Sequence, residues 1–357
     1  MKNPYQGLPK SAFWRTAVAV HHPLGISGLW RPKHRWSLAD KVATAGSCFA
    51  QHIGRALIAR GFNWLDGEPA PAVFDESTRQ EFNYGVFSFR TGNIYTVAAL
   101  KQWIDWSFGH SEPPEEIWQQ DGRFFDPFRP NIEPGGFASR EELIASREST
   151  LRAIGKVLAE AEVFIFTLGL TEAWINRSSG AVYPMCPGTV AGKYDPAVHV
   201  FRNFRFDQIY PDLIEVLDLI KRANDRVRFL LTVSPVPLTA TASGHHVLTA
   251  TTYSKSVLRA VAGQLSDERD DVDYFPSYEI ITAPPFRGMF YEPNLRTVAP
   301  QGVEFVMDSF FSCLESVLED SSRPKAGTRG GKGNRRRDAI DVVCEEEMLE
   351  AFGDETR

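Results

Sequence analysis

Three stretches of the chain are predominantly apolar, and their lengths suit strands. Val163 to Leu168, Val227 to Val233 and Val272 to Phe275 are continuous rather than alternating, the pattern of strands buried on both faces in a parallel sheet. Lys41 to Ala45 is a fourth such run, closed by Gly46. Between the runs the spacing becomes helical. Ile53, Leu57 and Ile58 follow the first run, and Leu100, Trp103 and Ile104 fall within Ile94 to Phe108. Ser139 with Glu141 and Glu142 opens a helix reaching Ala161, since a hydroxyl followed by acids satisfies the first free amides. Phe206 to Ala223 and Thr252 to Leu265 read as helices as well. The alternation predicts an α/β fold, a three-layer doubly wound parallel sheet of flavodoxin-like type with right-handed crossovers. Loop-rich insertions are expected at 63–94 and 109–138.

The two ends break this pattern. Residues 1–40 carry Pro4, Pro9, Trp14, Pro23, Trp30, Pro32 and Trp36 with no sustained period, which predicts an ordered arm, because exposed tryptophan is costly. Residues 41–320 form the expected α/β domain. From Ser321 onward a basic run (Arg323, Lys325, Arg329, Lys332, Arg335, Arg336, Arg337) gives way to an acidic stretch with apolar Ile340, Val343, Met348, Leu349 and Phe352. Residues 321–357 therefore read as a flexible basic linker and an acidic tail able to form a short amphipathic helix.

Composition narrows the function classes. With 357 residues and 43% hydrophobic content, the chain can bury a large core. A net charge of -6 argues against general nucleic-acid affinity. No run reaches membrane-spanning length and the first residues lack a signal-peptide core, so a cytoplasmic protein without a membrane partner is expected. Cys48, Cys186, Cys313 and Cys344 are too far apart for paired zinc spacing and suggest reduced thiols. Neither a metal nor a cofactor is expected.

Candidate chemistry lies where strands end, since open α/β sheets bind ligands beyond the carboxyl ends of their strands. Gly46 permits a sharp turn, Ser47 suits a helix cap, and Cys48 then stands at a helix N-terminus, where the partial positive charge favours a thiolate. The plainer alternative is a set of small residues packed at a strand end. Later turns supply further groups: Asn83-Tyr84-Gly85, Gly92-Asn93 and Gly169-Leu170-Thr171-Glu172. Trp174, Tyr183, Phe286 and Tyr291 lie near strand ends and can stack on sugar faces or fill the core. The candidate bases are His52, one helical turn beyond Cys48, and His246, in a loop after the run ending at Val233.

The word Gly46-Ser47-Cys48-Phe49-Ala50 resembles the signature of the GSCFA family, which is similar to the SGNH/GDSL esterases and the PC-esterases. The resemblance implies an SGNH-type fold and a nucleophile in this turn. It places Cys48 where SGNH enzymes have serine and Ser47 where they have aspartate, leaving Ser47 as the second candidate. It implies oxyanion or substrate contacts from Gly46, from Gly85 or Asn93, and from Gly169, Thr171 and Glu172. The late Asp-x-x-His word of those relatives falls on Asn294 and Thr297, and no histidine follows His246. Two functions follow: an esterase or acyltransferase acting on a small-molecule or glycan ester, or a catalytically degenerate binding protein of the same fold.

Overall fold

A computed structural model of the chain describes residues 3–318 and 344–353. The basic run from Arg323 to Arg337 lies outside the described residues. In chain order the elements are β1 (Val42–Gly46), α1 (Ala50–Ala59), α2 (Glu76–Glu81), α3 (Val97–Ser107), β2 (Trp118–Gln120), β3 (Arg123–Phe125), α4 (Arg140–Glu160) and β4 (Val163–Leu168). They continue with β5 (Glu172–Asn176), β6 (Val182–Tyr183), β7 (His199–Asn203), α5 (Phe206–Ala223), β8 (Arg228–Val233), α6 (Val247–Glu268), β9 (Val272–Phe275), α7 (Ser277–Thr282) and α8 (Pro300–Leu318). A short 3-10 helix covers Glu345–Phe352.

The chain divides into two units, residues 37–274 with 344–353 and residues 3–36 with 275–318. The first holds nearly all of a four-stranded sheet in the order β1-β4-β8-β9. β1 pairs with β4 and β4 with β8 in parallel, and every residue of β1 and β4 is buried. Continuous apolar sequence is what a strand covered on both faces needs.

The winding reverses at β1. After α1 the chain returns along the edge of β1 that faces away from β4: Val42 exchanges backbone hydrogen bonds with Asn63 and Leu65, and Trp64 bridges to Val42 in parallel. Ser88 and Ile94 then donate to the Thr44 and Gly46 carbonyls. This edge is thus paired by irregular backbone rather than left open. The chain next crosses to the opposite side, through α3 and α4, to reach β4. Crossovers leaving one strand in opposite directions define a switch point, where a crevice opens at the carboxyl end. That end is Gly46.

The long connections carry small sheets of their own. β6-β5-β7 is an antiparallel three-stranded sheet and β2-β3 a hairpin. The hairpin region is fastened by a buried ion cluster: Asp126 accepts from Arg129 Nε (2.9 Å) and from Arg147 Nη2 (2.8 Å) and Nε (3.1 Å). Arg129 also donates to the Arg90 carbonyl, tying the insertion to the segment beside β1. In the second unit Trp30 stacks on Phe310 (centroids 5.3 Å apart), with Phe275 and Trp36 edge-on to the same ring. Trp30 and Trp36 of the N-terminal arm are therefore core residues of that unit, whereas Trp14 is 67% exposed. Among the described residues no helix is long and apolar enough to cross a membrane.

Candidate functional site

Gly46 closes β1 with φ at +132°. A Cβ there would lie 2.4 Å from the Thr167 carbonyl oxygen and 2.6 Å from its nitrogen, so no other residue fits without moving β4. The Ser47 amide still donates to the Thr167 carbonyl (3.0 Å). Single-turn bonds follow, from Ala50 to Ser47 and from Gln51 to Cys48, before α1 begins. This corrects the expectation that Ser47 caps the helix. The N-cap position is Phe49 and has no side-chain cap, because the turn uses three residues before helical geometry sets in. Ser47 Oγ is buried and has no partner among the described residues.

Cys48 is 4% exposed. Beside it runs the segment that pairs with the free edge of β1, which brings Asn93 and Tyr95 to the turn: Ile94 donates to the Gly46 carbonyl, and the Tyr95 carbonyl accepts from both Gly169 and Leu170. Asn93 Oδ1 accepts from Gln51 Nε2 at 3.3 Å. The Tyr95 hydroxyl is buried without a partner among the described residues. Burial first, and then the nearby Cys344, Glu345, Cys48 and Glu346, raise its pKa well above the ordinary phenol range. It therefore stays a neutral hydrogen-bond donor at any physiological pH. Gly85, by contrast, is an exposed turn residue at φ +69° with open space around it, so of the two glycine words only the one at Asn93 reaches the crevice.

The Gly169-Leu170-Thr171-Glu172 word is used differently from the expectation. The Gly169 amide is committed to Tyr95, and its carbonyl accepts from buried Lys255 Nζ (2.6 Å). A Cβ at Gly169 would lie 3.0 Å from Ser47 Cβ, so glycine serves close packing here. The Thr171 amide donates to Ser254 Oγ (3.0 Å) and its hydroxyl to Asn203 Oδ1 (2.7 Å). These protons join β4 to α6 and β7 and are not offered to a ligand. The half-buried Glu172 carboxylate accepts from the Thr241 hydroxyl. Its pKa is raised by burial, against the opposing pull of Thr241 and His245.

Neither candidate histidine is hydrogen-bonded to Cys48 among the described residues. His246 is exposed, and its Nδ1 accepts from the Leu248 amide at the head of α6 (3.2 Å). His52 packs edge-on against the Phe49 ring (5.4 Å between centroids). The one-turn spacing to Cys48 presumes that both residues are helical, whereas Cys48 stands in the turn before α1. Burial, aided by the Arg55 charge, lowers the His52 pKa to about 4. The sign follows: an imidazole whose pKa is depressed on folding adds stability above about 6.5 that is lost as pH falls toward 4. Melting temperature should drop over that interval in the wild type, and His52→Gln should flatten the drop.

A cavity of about 700 Å³ is lined in part by Leu170, Trp174, Tyr194, Phe201 and Leu238, with Glu172 and Thr241 at its polar side. Leu170 and Leu238 also pack in one cluster with Tyr95, so the cavity starts beside the crevice. Glu346, Leu349 and Phe352 of the C-terminal segment complete its wall. Glu345, one residue earlier, accepts hydrogen bonds from the Asn93 and Asn131 side chains. Among the described residues no group of His, Cys, Asp and Glu has the geometry of a metal site.

Tyr95, Asn131 and Glu345 lie outside the motif words. Tyr95 stands only two residues beyond Asn93, while Asn131 and Glu345 come from an insertion and the acidic tail, with nothing local to single them out.

Solved structures similar to the chain include a family 3 carbohydrate esterase from Clostridium thermocellum, at 9% identity and a TM-score of 0.35, covering 79% of this chain and 98% of that one. A family 3 carbohydrate esterase from Talaromyces cellulolyticus gives 10%, 0.35, 79% and 100% in the same order. The periplasmic domain of a lipopolysaccharide acetyltransferase from Salmonella ser. Paratyphi A gives 11%, 0.32, 80% and 85%. No curated protein matches the chain significantly. The family model described as GSCFA family matches residues 41–310, and with three quarters of its length so matched the chain belongs to the GSCFA family.

Proposed function

We propose that the chain is an acyl-transfer enzyme, an esterase or acyltransferase, with Cys48 as its nucleophile. One observation carries this reading: at the switch point of the sheet a buried thiol, the Asn93 amide and the neutral Tyr95 hydroxyl, unpartnered among the described residues, lie together. In the reaction the Cys48 sulfur attacks the ester carbonyl carbon. The carbonyl oxygen becomes the tetrahedral oxyanion, and Asn93 Nδ2 and the Tyr95 hydroxyl donate to it. The C–O bond then breaks, the leaving alkoxide takes the proton that the thiol gave up, and an acyl thioester remains on Cys48. Water or an acceptor hydroxyl attacks the thioester next, releasing an acid or a new ester and restoring the thiol. Ser47 is the second candidate nucleophile, its Oγ buried in the same turn.

A glycan-like or similarly hydroxylated alcohol is the proposed leaving group. What supports it is the cavity, whose lining includes aromatic Trp174, Tyr194 and Phe201 together with Glu172 and Thr241. Ring faces stack on aromatic surfaces, and hydroxyls donate to a carboxylate.

The second reading is a binding protein of the same fold that has lost catalysis. It is favoured by the absence of a hydrogen bond from either His52 or His246 to Cys48 among the described residues. The two separate on p-nitrophenyl acetate. The enzyme reading expects turnover, a trapped acetyl group on Cys48 in acid-quenched peptides, and loss of roughly a thousandfold or more in kcat on Cys48→Ala. Asn93→Ala should lower kcat by roughly a hundredfold, as for one lost oxyanion donor. No acetylated peptide, together with equal rates for wild type and Cys48→Ala, would leave the binding protein as the description.

A further inference from the structure

The C-terminal segment places an acid where acids rarely go. Glu345 is 4% exposed, although Glu345-Glu346-Glu347 belongs by composition to a solvated surface. Its side chain accepts hydrogen bonds from the Asn93 and Asn131 side chains. Gly92, at φ +68°, lacks the Cβ that would stand 3.2 Å from Glu345 Oε1. Glu345 Oε2 and the hydroxyl of nearby Tyr95 both have no hydrogen-bond partner among the described residues.

Among the described residues no cation shifts the carboxyl. Burial first, and then Cys344, push its pKa up to about 7, against the pull of the two asparagines. A buried acid held only by neutral amides is a costly way to anchor a tail. It suits a small carboxylic acid that is bound and then released, since neutral donors hold it without trapping an anion in an ion pair.

We propose that Asn93 and Asn131 form a binding site for a small carboxylate, and that Glu345 fills this site in cis. The inference deepens the acyl-transfer reading, because the carboxylate class includes the acid that ester cleavage releases. Its test does not require turnover. A free carboxylate must displace Glu345, which competes as a tethered ligand at high effective concentration. Displacement also withdraws Glu346, Leu349 and Phe352 from the wall of the cavity and takes Glu345 away from Tyr95, which Cys48 also neighbours, so it should open the approach to Cys48.

The experiment is titration of the full-length chain with sodium acetate, followed by calorimetry and by protection of Cys48 from iodoacetamide. Glu345→Ala should bind acetate at least tenfold more tightly than the wild type. Its Cys48 should be alkylated at least fivefold faster without acetate and be protected when acetate is added. Adding Asn131→Ala to Glu345→Ala should abolish the binding. Leu349→Asp, which loosens the segment away from the amides, should act in the same direction and serves if Glu345→Ala fails to fold. Acetate affinity unchanged in the folded variants, or retained in the double variant, overturns the proposal. Tighter acetate binding without any acetylated Cys48 would uphold the carboxylate site and remove the enzyme reading.

Discussion

Gly46→Ala should destabilise the sheet-bearing unit by about 4 kcal/mol and lower its melting temperature by roughly 10 °C. Two independent causes act at one position. The backbone stands at φ +132°, a region that a side chain strains. The added Cβ would also meet the Thr167 carbonyl oxygen at 2.4 Å, and that oxygen accepts from the Ser47 amide. β4 must move or the turn must open, and either displaces Cys48. Gly180 supplies the control, because it has φ +73° with nothing within 4 Å of a built Cβ. Gly180→Ala meets the conformational strain alone and should cost about 1 kcal/mol. Urea unfolding of both variants reads the difference. If Gly46→Ala loses no more than Gly180→Ala, the close approach of β1 to β4 is not what requires glycine.

The same turn shows which parts of the molecule are legible in the residues and which are not. β1, β4, β8 and β9 stand out because strands covered on both faces are mostly apolar without alternation, so Val163 to Leu168 needs no context to be read. α4 and α5 are equally plain, with Ser139 capping the first through its Oγ and Ile209, Leu213, Val216, Leu217 and Ile220 lining the buried face of the second. The antiparallel sheet of β5, β6 and β7 does not stand out, since its strands have two to five residues and mixed burial. Hydrogen-bond partners are harder still. Thr171 and Gly169 have the residue types of donors, yet Asn203 and Tyr95, distant in sequence, take their protons. His246 follows a strand end as a base would, but its ring caps α6. Glu345 is the extreme case: composition sends an acidic tail to water, and only the fold shows that one of its carboxyls is buried against Asn93 and Asn131.

Asp126→Ala should cost about 3 to 5 kcal/mol, the range found when one partner of a buried ion pair is removed. Asp126 is 1% exposed, and its two cations, Arg129 and Arg147, are 1% and 5% exposed. Burial alone would raise the Asp126 pKa, but Arg147 and Arg129 overcome it and hold the carboxyl below its ordinary value. Without the carboxylate, two guanidinium groups remain desolvated and uncompensated. Their other contacts survive: Arg129 to the Arg90 carbonyl and Thr150 Oγ1, Arg147 to the Pro114 and Glu116 carbonyls. None of these carries a negative charge on the accepting atom. The effect should reach the crevice, because Arg90 in turn donates to the Phe82 and Ile132 carbonyls and so fixes the two stretches that present Asn93 and Asn131. Asp126→Ala is therefore expected to weaken acetate binding in the Glu345→Ala background even below its melting range. Replacing the acid and one cation together, as Asp126→Leu with Arg147→Met, removes a charge of each sign and should cost less than Asp126→Ala alone. A double variant as unstable as the sum of its parts would mean that shape, and not charge balance, is what this cluster supplies.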